Sequence, residues 1–356
     1  MPHAQRFLLY AEQNYAYAIL RPLQAAIRAR GGEARWFLAG TEIETSWLRA
    51  DERRLTSIDA VRAWRPDAVL VPGNMVPSFI PGLKVAVFHG FNVSKVTRNE
   101  NRGHFNIRSC FDLYCTQGPN TTHGFETLAE KHGYFSVTET GWPALDPLFR
   151  SDAAASQDMP LPADDGRPTV LLCSTFTRSL SCAPHLLDTV RALRDTERWH
   201  WLVQFHPKMD PAIVNAYKAL TDANLTYVET DNVLPLLRRA DVMVCDTSSV
   251  MLMFIAQRKP VVTFRNQSQG ARAHLLDITE PDQLAGAIET ALASPPALMQ
   301  AIDAYIDELH PYRDGNSSQR VLTAVDHALA RNDLRPKPAN LIRNLKERKK
   351  LGYWKP

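Results

Sequence analysis

Short apolar runs of strand length alternate with segments of helical periodicity along the chain. In the first half, these runs end in polar turns, which is typical of strands in an α/β protein. Helices are predicted at 22–30, where proline stands near the start and two glycines follow the end, and at 122–132, which a glycine closes. The predicted strands of this half are 7–11, 35–39, 68–71, 84–88 and 113–116.

The same alternation restarts after residues 151–167, a stretch rich in Ala, Asp and Pro that lacks apolar periodicity and therefore indicates a linker. Beyond it, the predicted strands are 170–174, 199–205, 225–229, 241–245 and 260–264. The predicted helices are 185–194, 212–220, 234–239 and 250–258, with further helices toward the C-terminus.

Two successive series of alternating strands and helices predict two doubly wound, Rossmann-like α/β domains facing a cleft. Such an architecture matches nucleotide-sugar transferases of the glycosyltransferase B type. We expect a first domain at 1–150, the linker at 151–167, a second domain at 168–330 and a basic tail at 331–356.

The length of 356 residues and a hydrophobic content of 45% allow a large core divided between two domains. The formal net charge of +3 is unevenly distributed, because the tail carries nine Lys or Arg residues against two acidic ones. The rest of the chain is therefore slightly acidic. We expect no nucleic-acid partner.

The longest uninterrupted apolar run, 250–256, is much shorter than the roughly 20 residues that a membrane-spanning helix needs. Residues 1–6 do not resemble the start of a signal peptide, so we expect a cytoplasmic protein. The five cysteines lack metal-ligand spacing and are predicted to be reduced thiols. Without an Asp-x-Asp motif, we expect no essential protein-held metal and no cofactor.

Polar residues follow three of the predicted strands directly, at the strand ends where ligands of open α/β sheets bind. The first strand end carries His89 and Gly90, and the second carries His206, followed by Pro207 and Lys208. The third leads into a hydroxyl-rich turn that precedes a helix and consists of Asp246, Thr247, Ser248 and Ser249. With one histidine in each domain, we expect the two to face each other across the cleft.

Histidine, glycine, lysine and hydroxyl-bearing residues at these positions suit a general base next to an anion-binding site. Neutral imidazole can accept a proton from an attacking hydroxyl group, and Gly90 and the nearby cation Lys95 would let a negative ligand approach His89. His206 could donate hydrogen bonds to phosphate oxygens, as could the turn at the helix start. Each feature also has a structural interpretation, since such histidines and N-capping turns are common without ligands.

Taken together, these residues resemble the CDP-glycerol glycerophosphotransferases, which build poly(glycerol phosphate) teichoic acids and related capsular polymers. The matching stretches occur in the family's order and at its approximate spacing. They are 88–95 (FHGFNVSK), 140–146 (TGWPALD), 173–178 (CSTFTR, ending in Arg178), 246–249 (DTSS) and 314–320 (DGNSSQR).

The resemblance implies that His89 is the catalytic base and that His206, Ser248 and Ser249 bind the pyrophosphate of a CDP-linked donor in the second domain. It also implies a lipid-linked or oligosaccharide acceptor on the side of the first domain and a role in cell-envelope biogenesis. Phe91 replaces the family's usual Thr, and Thr247 replaces its usual Tyr.

Three other functions remain open at this point. A nucleotide-sugar glycosyltransferase needs the same base and phosphate site, and a non-hydrolysing UDP-sugar 2-epimerase shares the architecture. The epimerases, however, continue their glycine turn with carboxylates, whereas residues 250–253 are apolar here. A binding module without activity is the third possibility. The tail, with aromatic residues among its basic ones, is a solvated terminal helix, is docked on the first domain, or is attached to an anionic membrane surface.

Overall fold

The computed structural model describes residues 4–91, 105–150, 161–163, 165–230, 232–268, 270–331 and 333–355. These residues form two compact units. The first contains residues 4–91, 105–146, 309–331 and 333–355, and the second contains the described residues between 147 and 308.

Each unit is built on a parallel sheet, with six strands among the described residues. The strands of the first sheet are β1 (Arg6–Gln13), β2 (Glu33–Glu42), β3 (Ala68–Val71), β4 (Leu83–Ala86), β5 (Leu113–Thr116) and β6 (Ser136–Glu139). Those of the second are β7 (Thr169–Ser174), β8 (His200–Phe205), β9 (Leu225–Tyr227), β10 (Val242–Cys245), β11 (Val261–Phe264) and β12 (Leu276–Ile278).

The helices cover the sheets and connect their strands. In chain order they are α1 (Tyr15–Ala29), α2 (Ile58–Trp64), α3 (Pro119–His132), α4 (Asp146–Phe149), α5 (Ala183–Arg194), α6 (Pro211–Lys218), α7 (Leu234–Arg239), α8 (Val250–Ile255), α9 (Leu284–Ala293), α10 (Pro296–Leu309), α11 (Ser317–Ala330) and α12 (Leu341–Leu351). Among the described residues, no helix combines the length and apolar composition needed to cross a bilayer.

The strand order places a ligand-binding position in each sheet. The first sheet runs β2-β1-β3-β4-β5-β6, so its order reverses between β1 and β3. The second runs β12-β11-β10-β7-β8-β9 and reverses between β10 and β7. At such a reversal the connections leave to opposite sides, which opens a crevice at the carboxyl ends of the two strands.

The central strands are apolar on both faces because helices cover both sides of a parallel sheet. All four residues of β3 and of β10 are buried, as are all six of β7. In α1, the apolar residues recur at helical spacing and bury one face, including Ile19, Leu20 and Leu23.

Some of the secondary-structure predictions are wrong. The first helix begins at Tyr15, so Pro22 lies inside α1 and not near its start, because burial of the apolar face outweighs the local cost of proline. The short edge strands β6 and β12 were also missed, since Ser136–Glu139 and Leu276–Ile278 contain too few apolar residues to stand out.

The C-terminal segment returns to the first unit. Helix α11 was assigned to the second domain from sequence, but the chain from Leu309 onward groups with the first sheet, and α11 contacts α1. The buried carboxylate of Asp146 holds α11 in place, because it accepts hydrogen bonds from the backbone N–H groups of Ser317 and Ser318, each at 2.8 Å. A carboxylate there satisfies the otherwise unpaired donors of the first helical turn.

The tail continues along the same unit. Tyr353 is buried and stacks on Phe79 with ring centroids 5.3 Å apart. The Nζ of Lys350 lies 2.7 Å from a carboxylate oxygen of Glu12. The alternative in which the tail docks on the first domain is therefore observed.

Replacing Asp146 by Ala should lower the free energy of unfolding by about 2 to 4 kcal/mol, because it leaves two buried N–H groups of α11 without an acceptor. Urea denaturation followed by Trp fluorescence measures the change. Asp307→Ala, at an exposed position of α10, is the matched control and should leave stability nearly unchanged. Equal midpoints for the two variants would contradict the assignment.

Candidate functional site

His89 lies at the carboxyl edge of the first sheet, just beyond β4. The chain turns sharply before it, since Phe88 adopts a φ of 57°, a left-handed conformation that is uncommon for a non-glycine residue. The imidazole Nδ1 is 3.2 Å from the carbonyl oxygen of Pro72, which follows β3. A carbonyl oxygen can only accept, so Nδ1 carries the proton of this hydrogen bond and the neutral ring has its lone pair on Nε2.

The surroundings of His89 favour the neutral form. Burial lowers the pKa of its imidazole, and the positive charge of Arg108 lowers it further, although the hydrogen bond to Pro72 opposes both. The ring of Tyr15, at the start of α1, lies with its centroid 5.4 Å from that of His89. The His89 imidazole is therefore neutral near pH 7.

Two side chains brace the turn that carries His89. The indole Nε1 of Trp142 donates to the carbonyl of Phe88 at 3.3 Å, and Nε2 of Gln117 donates to the carbonyl of Gly90 at 3.0 Å. Both donors are buried, which makes the hydrogen bonds costly to break. The turn is thus fixed on both sides of the histidine.

Phe91, at the position where the family usually has Thr, has a packing role. It is buried, and its ring meets those of Trp142 at 5.2 Å and His310 at 6.1 Å, edge to face in both cases. At Gly90, an added Cβ would meet no described atom within 4 Å. Lys95 lies outside the described residues.

In the second unit, Asp246 is an anchor for the loop after β7. Its carboxylate is fully buried and accepts hydrogen bonds from the hydroxyl of Ser174 at 2.7 Å and from the backbone N–H groups of Thr175 and Cys182, each at 3.0 Å. Burial raises the pKa of Asp246, and these hydrogen bonds counteract the rise. The buried Asp246 side chain therefore holds the loop after β7 in its conformation from the inside of the protein.

The other residues of the turn differ in accessibility. Thr247 is buried, and its hydroxyl accepts from the backbone N–H of Gln267 at 2.9 Å, which joins the loops after β10 and β11. Ser248 is partly buried and Ser249 is exposed. Ser249 makes no side-chain capping hydrogen bond to α8. The two serines are thus the members of the turn that a ligand can reach.

His206 follows β8 and is exposed. Its Nδ1 lies 3.0 Å from the backbone N–H of Lys208, which can only donate, so Nδ1 carries the lone pair and the neutral ring has its proton on Nε2. The ring of Phe176, from the loop after β7, contacts the imidazole in a tilted arrangement at a centroid distance of 4.5 Å. Arg178, in the same loop, is exposed and lies 3.5 Å from Asp210.

These loops share one edge of the second sheet. Strand β7 pairs with β10 on one side and with β8 on the other, all in parallel, so their carboxyl ends lie side by side. The structure thus places Arg178, His206 and residues 246–249 on loops at one edge of the second sheet, where the strand order reverses. Gly90, also expected near the donor, lies in the first unit.

The model of the CDP-glycerol:poly(glycerophosphate) glycerophosphotransferase family matches residues 119–327, more than half of the chain. The chain belongs to this family. It is accordingly an enzyme of the CDP-glycerol glycerophosphotransferase class, which confirms the function predicted from sequence. No curated protein matches the chain.

Several solved structures share the fold. A Listeria monocytogenes protein described as a UDP-N-acetylglucosamine 2-epimerase is 15% identical, with a TM-score of 0.67 over 95% of this chain and 100% of that one. A variant of the wall teichoic acid polymerase TagF soaked with CDPG is 15% identical, with a TM-score of 0.65 over 91% and 88%. S. aureus MnaA in complex with UDP is 14% identical, with a TM-score of 0.64 over 94% and 100%.

These similarities confirm the predicted fold class of the glycosyltransferase B type. Because they extend to epimerases and to a polymerase alike, the fold does not separate the two functions. The family match separates the two functions, in favour of the glycerophosphotransferase.

The family stretch at 314–320 has a structural function in this glycerophosphotransferase. Arg320 pairs with both carboxylate oxygens of Asp314, at 2.8 and 3.0 Å, and donates from Nε to the carbonyl of Thr140 at 2.8 Å. Gly141 is required beside it, because its φ is +76° and a Cβ there would lie 2.5 Å from the Ser317 hydroxyl. The two family stretches at 140–146 and 314–320 therefore interlock within the first unit.

Three residues around His89 were not predicted from the sequence, namely Tyr15, Gln117 and Trp142. Tyr15 and Gln117 each follow a strand end closely, the same signal that identified the histidines, but neither is a typical base or phosphate ligand. Trp142 lies within a family stretch, yet only the fold brings its indole to Phe88.

Proposed function

We propose that this enzyme transfers glycerol phosphate from CDP-glycerol to a hydroxyl group of a lipid-linked or oligosaccharide acceptor, during synthesis of a teichoic-acid-like or capsular polymer at the cytoplasmic face of the membrane. Family membership supports the reaction class. The TagF structure soaked with CDPG supports the donor by analogy.

The assignment of roles rests on one observation. The Nδ1 atoms of the two histidines form hydrogen bonds of opposite direction, one as a donor and the other as an acceptor. His89 donates from Nδ1 to a backbone carbonyl, which leaves a lone pair on Nε2 to accept a proton. His206 accepts at Nδ1 from a backbone N–H, which leaves an N–H on Nε2 to donate. The first suits a general base, and the second suits a phosphate ligand.

In the proposed reaction, the acceptor oxygen attacks the β-phosphorus of CDP-glycerol. The new bond joins that oxygen to phosphorus, and the bond between the β-phosphorus and the bridging oxygen breaks to release CMP. Nε2 of His89 takes the proton of the attacking hydroxyl. His206, Ser248 and Ser249 donate hydrogen bonds to the pyrophosphate, while Asp246 and Thr247 hold the surrounding loops and Arg178 supplies a nearby cation.

Replacing His89 by Ala should reduce CMP release by about 100-fold or more, because it removes the general base, while CDP-glycerol still binds. The assay follows CMP from CDP-glycerol with an alkyl disaccharide or oligo(glycerol phosphate) as acceptor probe. In the wild type, activity should be constant near pH 7 and fall only below pH 6.5, since the pKa of His89 is lowered and its protonated form cannot accept a proton.

His123→Ala, at an exposed position of α3, is the matched control for this experiment and should retain wild-type activity. Near-wild-type turnover in the His89 variant would overturn its role as the base. A wild-type enzyme that binds CDP-glycerol but releases no CMP with any acceptor would instead support a binding module.

Single substitutions of His206, Ser248 and Ser249 by Ala should each weaken binding of CDP-glycerol by about 1.5 to 3 kcal/mol, the usual range for a hydrogen bond to a charged group. Isothermal titration calorimetry measures the dissociation constants. Thr290→Ala, on α9 of the same unit, provides the control. Unchanged constants for all three variants would exclude the proposed donor site.

The outward face of α12 fits a peripheral membrane contact. Leu341, Ile342 and Leu345 are 70%, 73% and 56% exposed, and Trp354 beyond the helix is 62% exposed. Basic residues such as Lys349 are exposed beside them, while the opposite face of the helix is docked on the first unit. Apolar side chains bordered by basic ones suit the surface of an anionic leaflet, where each cation contributes about 1 kcal/mol.

The triple substitution of Leu341, Ile342 and Leu345 by Ser should abolish flotation with vesicles that contain phosphatidylglycerol, because it removes the apolar contact but not the docked face of α12. Wild-type protein should float at low salt, less at high salt, and not with purely zwitterionic vesicles. Leu329→Ser, an exposed apolar position on α11, is the control. Equal flotation of the wild type and the triple variant would contradict the membrane contact.

A further inference from the structure

Tyr15 occupies the reversal point of the first sheet together with His89. It is the first residue of α1 and follows β1, while Pro72 and Gly73 follow the neighbouring strand β3. The Tyr15 hydroxyl lies beside Gly73, where an added Cβ would be 3.9 Å away from it. Its ring is 37% exposed and tilted by 31° against the His89 imidazole. Tyr15 therefore lines the crevice and contacts the catalytic candidate at the same time.

Two contacts restrict the imidazole in different directions. The hydrogen bond from Nδ1 to Pro72 fixes one edge of the ring, but it leaves rotation about that bond possible. The Tyr15 ring against the imidazole limits this rotation. Both contacts act on the direction of Nε2, and the direction of a base decides whether it reaches the proton of a bound hydroxyl.

We propose that Tyr15 is a positioning residue, whose ring holds the His89 imidazole in the orientation that keeps its Nδ1–H on the Pro72 carbonyl and directs the Nε2 lone pair toward the acceptor hydroxyl. The proposal rests on the proposed role of His89 as the base. Helix α1, for which the sequence predicts no role in the site, thereby takes part in the transfer reaction.

The ring of Tyr15 carries this role, and its hydroxyl does not act as a second base. Burial, followed by the charges of Glu12 and Glu42, raises the pKa of Tyr15 to about 12, so the hydroxyl stays neutral at physiological pH. Arg108 is the charged group that acts on His89 itself among the described residues, and it is present in every variant below. Tyr15→Phe should therefore preserve the function, whereas Tyr15→Ala should lose it.

The first test needs no acceptor. Nitrogen-15 NMR of histidine-labelled protein reports the tautomer and pKa of His89, with its signals identified by their loss in His89→Gln. Wild type and Tyr15→Phe should show the Nδ1-protonated tautomer and a lowered pKa. In Tyr15→Ala, the pKa should rise toward the ordinary value, because water reaches the ring, and the Nε2-protonated tautomer should gain population.

The second test measures CMP release from CDP-glycerol with the acceptor probes named above. Tyr15→Ala should lower turnover about 10-fold with an unchanged donor KM, and its acid limb should move to higher pH, while Tyr15→Phe remains within about 2-fold of wild type. Trp47→Ala is the matched control, since Trp47 is equally exposed and follows β2.

The outcomes separate this proposal from the function on which it rests. An unchanged tautomer and pKa of His89 in Tyr15→Ala would overturn the positioning role, even if the enzyme transfers glycerol phosphate. The same changes in Trp47→Ala would also overturn it, because they would indicate a general loosening of the sheet edge. A wild-type enzyme that releases no CMP would refute the proposed function. The NMR result would then show by itself whether Tyr15 positions the His89 imidazole.

Discussion

The buried carboxylate of Asp146 joins the C-terminal part of the chain to the first sheet. By accepting two backbone hydrogen bonds from the start of α11, it fixes the turn at residues 140–146 against the returning helix. In that turn, the backbone N–H of Trp142 donates to Nε2 of His310 at 2.9 Å, and the indole of Trp142 reaches the carbonyl that precedes His89. The position of the proposed base thus depends on a carboxylate that is buried in the protein.

Burial makes this arrangement rigid. His310 is fully buried, and burial lowers its pKa to about 4, so it remains a neutral hydrogen-bond acceptor for Trp142 at any physiological pH. A neutral acceptor in a region of low dielectric gives a hydrogen bond that water cannot replace. A buried carboxylate has a similar structural role in the second unit, where Asp246 accepts hydrogen bonds from the loop after β7.

The fold was predictable from sequence where local pattern and burial agree. Strands β3 and β5 have the predicted bounds because they are continuous apolar runs between polar turns. The prediction failed for α1, where the proline signal conflicted with a longer apolar face, and for β6 and β12, which are held by their neighbours in the sheet. It also assigned α11 to the wrong domain. The periodicity of an amphipathic helix shows which face is buried but not which part of the protein covers that face.

The candidate site shows a similar limit. Strand-end position correctly indicated that residues 246–249 and His206 lie at one sheet edge. It could not indicate that Asp246 points into the protein and Ser249 out of it, because the orientation of a turn depends on the loops beside it. Nor could sequence assign the proton of either histidine, which is decided by backbone groups of Pro72 and Lys208.

The discontinuity of the first unit has a consequence for synthesis of the chain. Its sheet is translated early, but α11 and α12 emerge from the ribosome only after the entire second unit. The second unit can therefore complete its core while the first still exposes the apolar surface that α11 covers. During that interval, the exposed apolar surface of the first sheet makes it the more aggregation-prone part of the polypeptide. The contacts that complete it span most of the sequence, so the first unit should be the slower of the two to reach its native state.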